Sequence, residues 1–141
     1  MPQTYKNHTK FVPMFHYVTL PLLLINVIWS VYRGMQAFSF ESLNAVGIAF
    51  ALVMIAVFSR VNALKAQDRV IRLEERMRMN KVLPDDLKTR INDMTTAQLV
   101  ALRFAPDEEL SSLVQQALDT NATPKALKQA IENWRPDYQR V

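Results

Sequence analysis

Cysteine is absent from the chain, which removes disulfide frameworks, thiolate metal sites and cysteine nucleophiles from consideration. Glycine occurs only twice, against seven prolines, a scarcity that favours helices over sheet. The most informative scarcity is of charge. Between Phe11 and Ser59 the only ionised side chains are Arg33 and Glu41. From Arg60 onward the chain carries 14 of its 17 basic and 12 of its 13 acidic residues. The mean hydropathy of −0.03 therefore averages an apolar half with a polar half, and composition places a boundary at Arg60.

A length of 141 residues accommodates a membrane anchor with a small appendage. Residues 12–32 form an uninterrupted apolar stretch whose one titratable group near neutrality is His16, long enough to cross the hydrocarbon core as a helix. Tyr17, Trp29 and Tyr32 stand toward its ends, where amphipathic rings prefer the interface. Pro13 and Pro21 are tolerable in a membrane helix, and Pro21 predicts a kink. Residues 43–58 form a second, shorter stretch that Phe38, Phe40 and a snorkelling Arg60 complete. A cleaved signal peptide is the competing reading of the first stretch, but its apolar run is too long and no small-x-small cleavage site follows. A soluble helical core is a poorer match to two such runs in succession.

Basic residues set the expected orientation. Lys6 and Lys10 precede the first span, Arg33 alone stands between the spans, and Arg60, Lys65, Arg69, Arg72, Arg76 and Arg78 follow the second. Both termini are therefore expected on the cytoplasmic face of the membrane, and the basic belt is expected to meet membrane lipids. Residues 60–81 hold seven basic and three acidic groups, whereas residues 82–141 hold seven basic and nine acidic. That distribution is not a nucleic-acid footprint.

Ala45, Ala49, Leu52, Ala56, Ser59, Ala63, Ala66, Val70, Leu73 and Met77 recur at alternating spacings of four and three, which puts all ten on one face of a helix. No proline or glycine interrupts the run after Gly47, so one helix is expected to continue from the second span through residues 60–81. Small residues in its apolar part allow close helix packing; Val, Leu and Met beyond Ala66 gain by leaving water. The pairs Asp68/Arg72 and Glu74/Arg78 are spaced to support the helix, and in a parallel dimer Arg69 lies opposite Glu74 of the neighbour. Three occupants fit this helix-packing stripe: other helices of the same chain, a second copy, or a different subunit.

Residues 82–141 read as a small cytoplasmic domain of about four short helices. Pro84-Asp85-Asp86 opens one that ends near Asn92. Thr95 with Gln98 forms a capping-box pattern before a helix through Phe104. Pro106-Asp107-Glu108-Glu109 begins a third that ends at Asp119-Thr120-Asn121, and Thr123-Pro124 begins a fourth that runs to about Trp134. The expected core is Leu87, Ile91, Leu99, Leu102, Phe104, Leu110, Leu113, Val114, Ala117, Leu118, Leu127, Ala130, Ile131 and Trp134. The fold class is thus all-α, in four parts: a tail over 1–11, a two-helix transmembrane hairpin over 12–59, an amphipathic basic helix over 60–81, and the helical domain.

Particular segments carry a resemblance. They are Tyr5-Lys6-Asn7-His8-Thr9 with Phe11-Val12-Pro13, Ala66-Gln67-Asp68-Arg69 with Arg72-Leu73-Glu74, Ala101-Leu102-Arg103-Phe104-Ala105, and Lys128-Gln129-Ala130-Ile131 with Trp134-Arg135-Pro136-Asp137. Across nearly its whole length the chain resembles a family of small, uncharacterised bacterial two-pass membrane proteins. The resemblance implies membership and brings no activity and no functional residue with it.

Candidate chemistry is sparse. His16 is the one histidine in an apolar stretch, a candidate ligand for haem or a chlorin magnesium or a proton relay, set against a histidine bonded to backbone at the interface. Asn26 lies mid-span, where an amide needs an interhelical hydrogen bond. Asp107-Glu108-Glu109 after a proline reads as helix capping rather than a carboxylate metal site, and Tyr5 to Phe11 as a docking motif or a solvated tail. No phosphate loop, dinucleotide loop, hydrolase motif or discontinuous transporter helix is present. The sequence therefore predicts no enzyme, catalytic residue, metal or bound cofactor. It predicts an interaction, scaffold or accessory subunit whose partners are other membrane subunits or itself. An accessory subunit holding a pigment or haem through His16, and an oligomeric channel, are the alternatives.

Overall fold

A computed structural model describes residues 3–7 and 10–138. Of the N-terminal motif, His8 and Thr9 lie outside the described residues. The elements are helical throughout the described residues.

The first long helix opens with π-type hydrogen bonding over Met14–Thr19 and continues as α1, Leu20–Gln36. Thr19 Oγ1 donates to the Met14 carbonyl at 3.0 Å, occupying an acceptor in that wide turn. Pro21 falls in the first turn of α1, where its missing N–H costs least. What accompanies the proline is a change of helical register just before it.

Residues 37–39 connect α1 to α2, Phe40–Val82. Its start is fixed by Ser39 and Ser42, each of whose backbone N–H donates to the other's hydroxyl, at 2.9 and 3.1 Å. This reciprocal arrangement satisfies donors that the first helical turn leaves orphaned. At its other end the Leu83 N–H still reaches the Met79 carbonyl at 2.9 Å, and Pro84 then stops the helix. With 43 residues, α2 is longer than its apolar stripe requires. Met14–Gln36 and Phe40–Val82 are each long and apolar enough to cross a membrane.

The chain divides into two compact units, Lys10–Ala63 and Leu64–Val141 with the N-terminal tail. In the first, Ser30 and Ala49 are buried while Ile25, Ile28, Trp29, Phe50, Ile55 and Phe58 are exposed. Gly34 lies near Ser42 and Val46, and a methyl added there would meet both at ordinary contact distance, 3.9 Å. The more buried positions of α2 in this unit are Ser42, Val46, Ala49, Val53, Ala56, Arg60 and Ala63.

The second unit holds the end of α2 and four short helices: α3 Asp85–Lys88, α4 Thr96–Leu102, α5 Asp107–Thr120 and α6 Pro124–Ala130, with a 3-10 turn at Ile91–Asp93. The capping box at α4 forms as its residues predict, Thr95 accepting from the Gln98 N–H while Gln98 accepts from the Thr95 N–H. Thr123 caps α6 through the Ala126 N–H. Asn121, at φ 47°, closes α5 in the left-handed region that asparagine tolerates. The fourth helix ends at Ala130, short of Trp134, because Glu109 takes the next donors: the Glu132 and Asn133 N–H groups reach its carboxylate at 3.0 and 2.9 Å. A side chain thereby outcompetes another helical turn.

The core includes Leu87, Ile91, Leu99, Leu102, Phe104, Leu110, Leu113, Val114, Ala117, Leu127 and Ile131, with Leu118 and Trp134 packed partly buried against it. Ala130 is exposed, contrary to expectation. Met79, Leu83, Met94, Ala101 and Ala105 join the core without having been expected there. Met79 and Leu83 show that the end of α2 and the turn after it are part of this bundle.

Candidate functional site

Inside the second unit, the residues that build one cleft come from places far apart in sequence. Gln67, Ile71, Glu75 and Arg78 lie on α2, Arg103 follows α4, and Arg135, Pro136 and Asp137 lie in the segment after α6; together with Val70, Glu74 and Tyr138 they line about 720 Å³. Three of the segments that carry the family resemblance meet here.

Glu75 anchors the cleft at only 5 % exposure. Its Oε2 accepts from Arg78 Nη1 at 3.0 Å, and its Oε1 lies 3.7 Å from Arg135 Nη1. Arg78 also donates from Nε to Asp107 at 2.7 Å and from Nη2 to the Ala105 carbonyl at 2.8 Å. The Arg135 N–H donates to the Phe104 carbonyl at 2.8 Å. Arg103 pairs with Asp137 at 3.4 Å and stacks 4.6 Å above the Phe104 ring, whose neighbour on the core side is Trp134 at 4.9 Å between centroids. Finally, the Asp137 N–H donates to Gln3 Oε1 at 2.8 Å, joining the N-terminal tail to the C-terminal segment.

Burial pushes the Glu75 carboxyl above the ordinary glutamate range, and the charges of Arg78 and Arg135 pull against that without cancelling it. Desolvation works in the same upward direction on Glu109, but there the donated N–H groups of Glu132 and Asn133, with the Asn133 amide, prevail and hold the carboxyl low. Each carboxylate is thus committed to a donor set. The cleft is lined by three arginines and three carboxylates, Glu74, Glu75 and Asp137, a balance that selects no ligand of single charge. Its geometry fastens the C-terminal segment to α2.

The helix-packing stripe is divided. Ala49 is buried and Ala56 and Ala63 half-buried, whereas Ala45, Leu52, Ser59 and Ala66 are exposed. Beyond Ala66, Val70, Leu73 and Met77 are 55 %, 61 % and 55 % exposed. The bundle packs instead against Ile71, Glu75 and Met79, which lie about 150° around the helix from the stripe, given 3.6 residues per turn. The expected pairing of Glu74 with Arg78 is replaced by Glu75 with Arg78. Nothing periodic marks this face, because a buried ion pair occupies its centre.

The remaining candidates fall elsewhere. His16 is half-buried beside Phe11, at 4.1 Å between ring centroids, and its Nδ1 lies 2.9 Å from the Val12 carbonyl, an engagement with backbone. Asn26 is exposed on α1. Of the basic belt, Lys65, Arg69 and Arg72 are exposed, Arg60 and Arg76 half-buried, and Arg78 is turned into the cleft. The acid run stands in the first turn of α5 without a side-chain cap bond; instead Asp107 receives Arg78, and Glu109 receives the chain after α6. Among the described residues no cluster of three or more His, Asp or Glu has metal-binding spacing.

These features define an all-helical protein in which two long apolar helices are joined to a small bundle clamped by ion pairs. The chain belongs to DUF6526, a family of unknown function whose model matches residues 1–141. No curated protein and no solved structure matches it.

Proposed function

We propose that the protein is a two-pass inner-membrane interaction subunit, without enzymatic activity of its own, which binds other membrane proteins through α2. The observation that carries the reading is the exposed face of Val70, Leu73 and Met77, apolar residues placed at helical spacing on a helix whose opposite side already holds the chain's own bundle. Large apolar side chains grouped on one exposed helix face favour a partner.

The membrane part of the reading rests on two supports. Only 6 % of the most apolar window of each long helix is buried, whereas a core helix of a soluble protein would be largely covered. The hydrogen bond from the Asp137 N–H to Gln3 supports both terminal segments lying on one side of a bilayer, as an even number of crossings gives. With Lys6, Lys10 and the residues from Arg60 to Arg78 flanking the spans, that side is the cytoplasm. The pigment- or haem-ligand reading rests on His16 alone, and its Nδ1 is already engaged by Val12.

Native isolation in mild detergent tests the proposal. The expected result is a defined assembly, with other subunits or with itself. A strict monomer carrying no bound protein overturns it.

A further inference from the structure

We infer that the partner on the Ala66–Val70–Leu73–Met77 face is a second copy of this chain, joined through a short parallel two-stranded coiled coil. The inference rests on the interaction reading above and supplies the partner.

Several observations converge on this occupant. The seam positions alternate by three and four, with Val70 and Met77 at a and Ala66 and Leu73 at d. A β-branched residue at a with leucine at d is the combination that favours two parallel strands. The face is open, with Val70, Leu73 and Met77 each more than half exposed; Val70 and Glu74 also border the cleft, while the bundle itself sits on Ile71, Glu75 and Met79. Orientation is dictated as well: α2 is one helix over Phe40–Val82, so copies inserted in the same sense present it in parallel.

In that register Arg69, at g, faces Glu74, at e, of the neighbour, and symmetry makes the pair twice. Asn62 faces Gln67, a neutral polar pair. Arg76 faces Lys81, which repels, and the next d position after Met77 is Asn80; the seam accordingly ends at Met77. A contact of four core positions is short for a coiled coil in water. Two spans that confine each copy to the bilayer raise the effective concentration of the neighbour, so a short seam suffices.

The absence of native cysteine makes the test direct. Single-cysteine Leu73→Cys and Arg72→Cys chains, full length and in native membranes, are oxidised and scored for disulfide-linked dimer. Both positions are exposed, so neither substitution disturbs the core. Leu73→Cys is expected to cross-link and Arg72→Cys, at position c, to cross-link at least about five-fold less, as seam geometry requires. Within the Leu73→Cys chain, Arg69→Glu or Glu74→Arg alone is expected to lower the dimer about three-fold, and the two together to restore it, the signature of a coupled pair.

Equal cross-linking at both positions, or no restoration by the double exchange, overturns the inference. A monomeric chain whose residue 73 is shielded by a different subunit overturns the second copy but leaves the interaction reading standing. A monomer with residue 73 unshielded and no bound protein removes both.

Discussion

Glu75 occupies the helical position that a heptad reading assigns to solvent, and the structure buries it. The difference lies with partners remote in sequence: Arg78 reaches Ala105 and Asp107, while Arg135 comes from the far end of the chain. Breaking a buried pair leaves an uncompensated charge, which costs far more than the pair contributes. Arg78→Ala is therefore expected to destabilise the protein by about 3–5 kcal/mol at neutral pH, and Glu75→Gln by less than half of that. The pH dependence follows from the direction of the Glu75 shift. Its folded-state pKa lies above the ordinary 4.5, so its contribution to stability is full below that value and is lost as pH rises through the folded one. Removing Arg78 raises the folded value further. The deficit of Arg78→Ala should consequently shrink as pH falls below neutrality, as read by thermal unfolding of the full chain in detergent. A deficit that grows toward acid would contradict this assignment.

Among the elements, the long helices and the bundle's helix starts were legible, because each is written in local chemistry. Thr95 with Gln98 and Thr123 before Pro124 cap helices through side chains within three residues of their targets, whereas the Ser39–Ser42 pair that starts α2 at Phe40, ahead of the expected residue 43, went unread. The end of α6 was not legible, since Glu109 stops it from across the bundle. The face of α2 that takes the bundle escaped for a related reason. Apolar periodicity pointed to Val70, Leu73 and Met77, whereas the packed face mixes Ile71 and Met79 with a buried carboxylate. A paired substitution tests which face does what. Ile71→Asp, placing a charge at a position only 6 % exposed, is expected to cost at least about 3 kcal/mol. Leu73→Asp is expected to leave unfolding of the isolated chain within about 0.5 kcal/mol while lowering assembly in membranes. Equal losses of stability would mean that the bundle uses both faces.

Across the whole molecule, one chemical asymmetry organises the chain: apolar and nearly uncharged to Ser59, charged from Arg60 onward. In the first part, large apolar side chains on both long helices are left uncovered, a surface the proposed bilayer would cover. In the second, about 80 residues form a bundle small enough to need reinforcement, and the ion pairs around Glu75 and Arg103, with the hydrogen bond to Gln3, fasten its ends together. The family model covers both parts, residues 1–141.

The central proposal is that the two apolar helices cross the membrane and return both ends of the chain to the cytoplasm. Sided labelling tests it most directly, with a membrane-impermeant maleimide applied to intact spheroplasts carrying Ser39→Cys or Asp119→Cys. Both native side chains are exposed, and the chain has no cysteine of its own. Ser39→Cys is predicted to label from outside, and Asp119→Cys only after the membrane is permeabilised. Labelling of both positions from the same side would contradict the account.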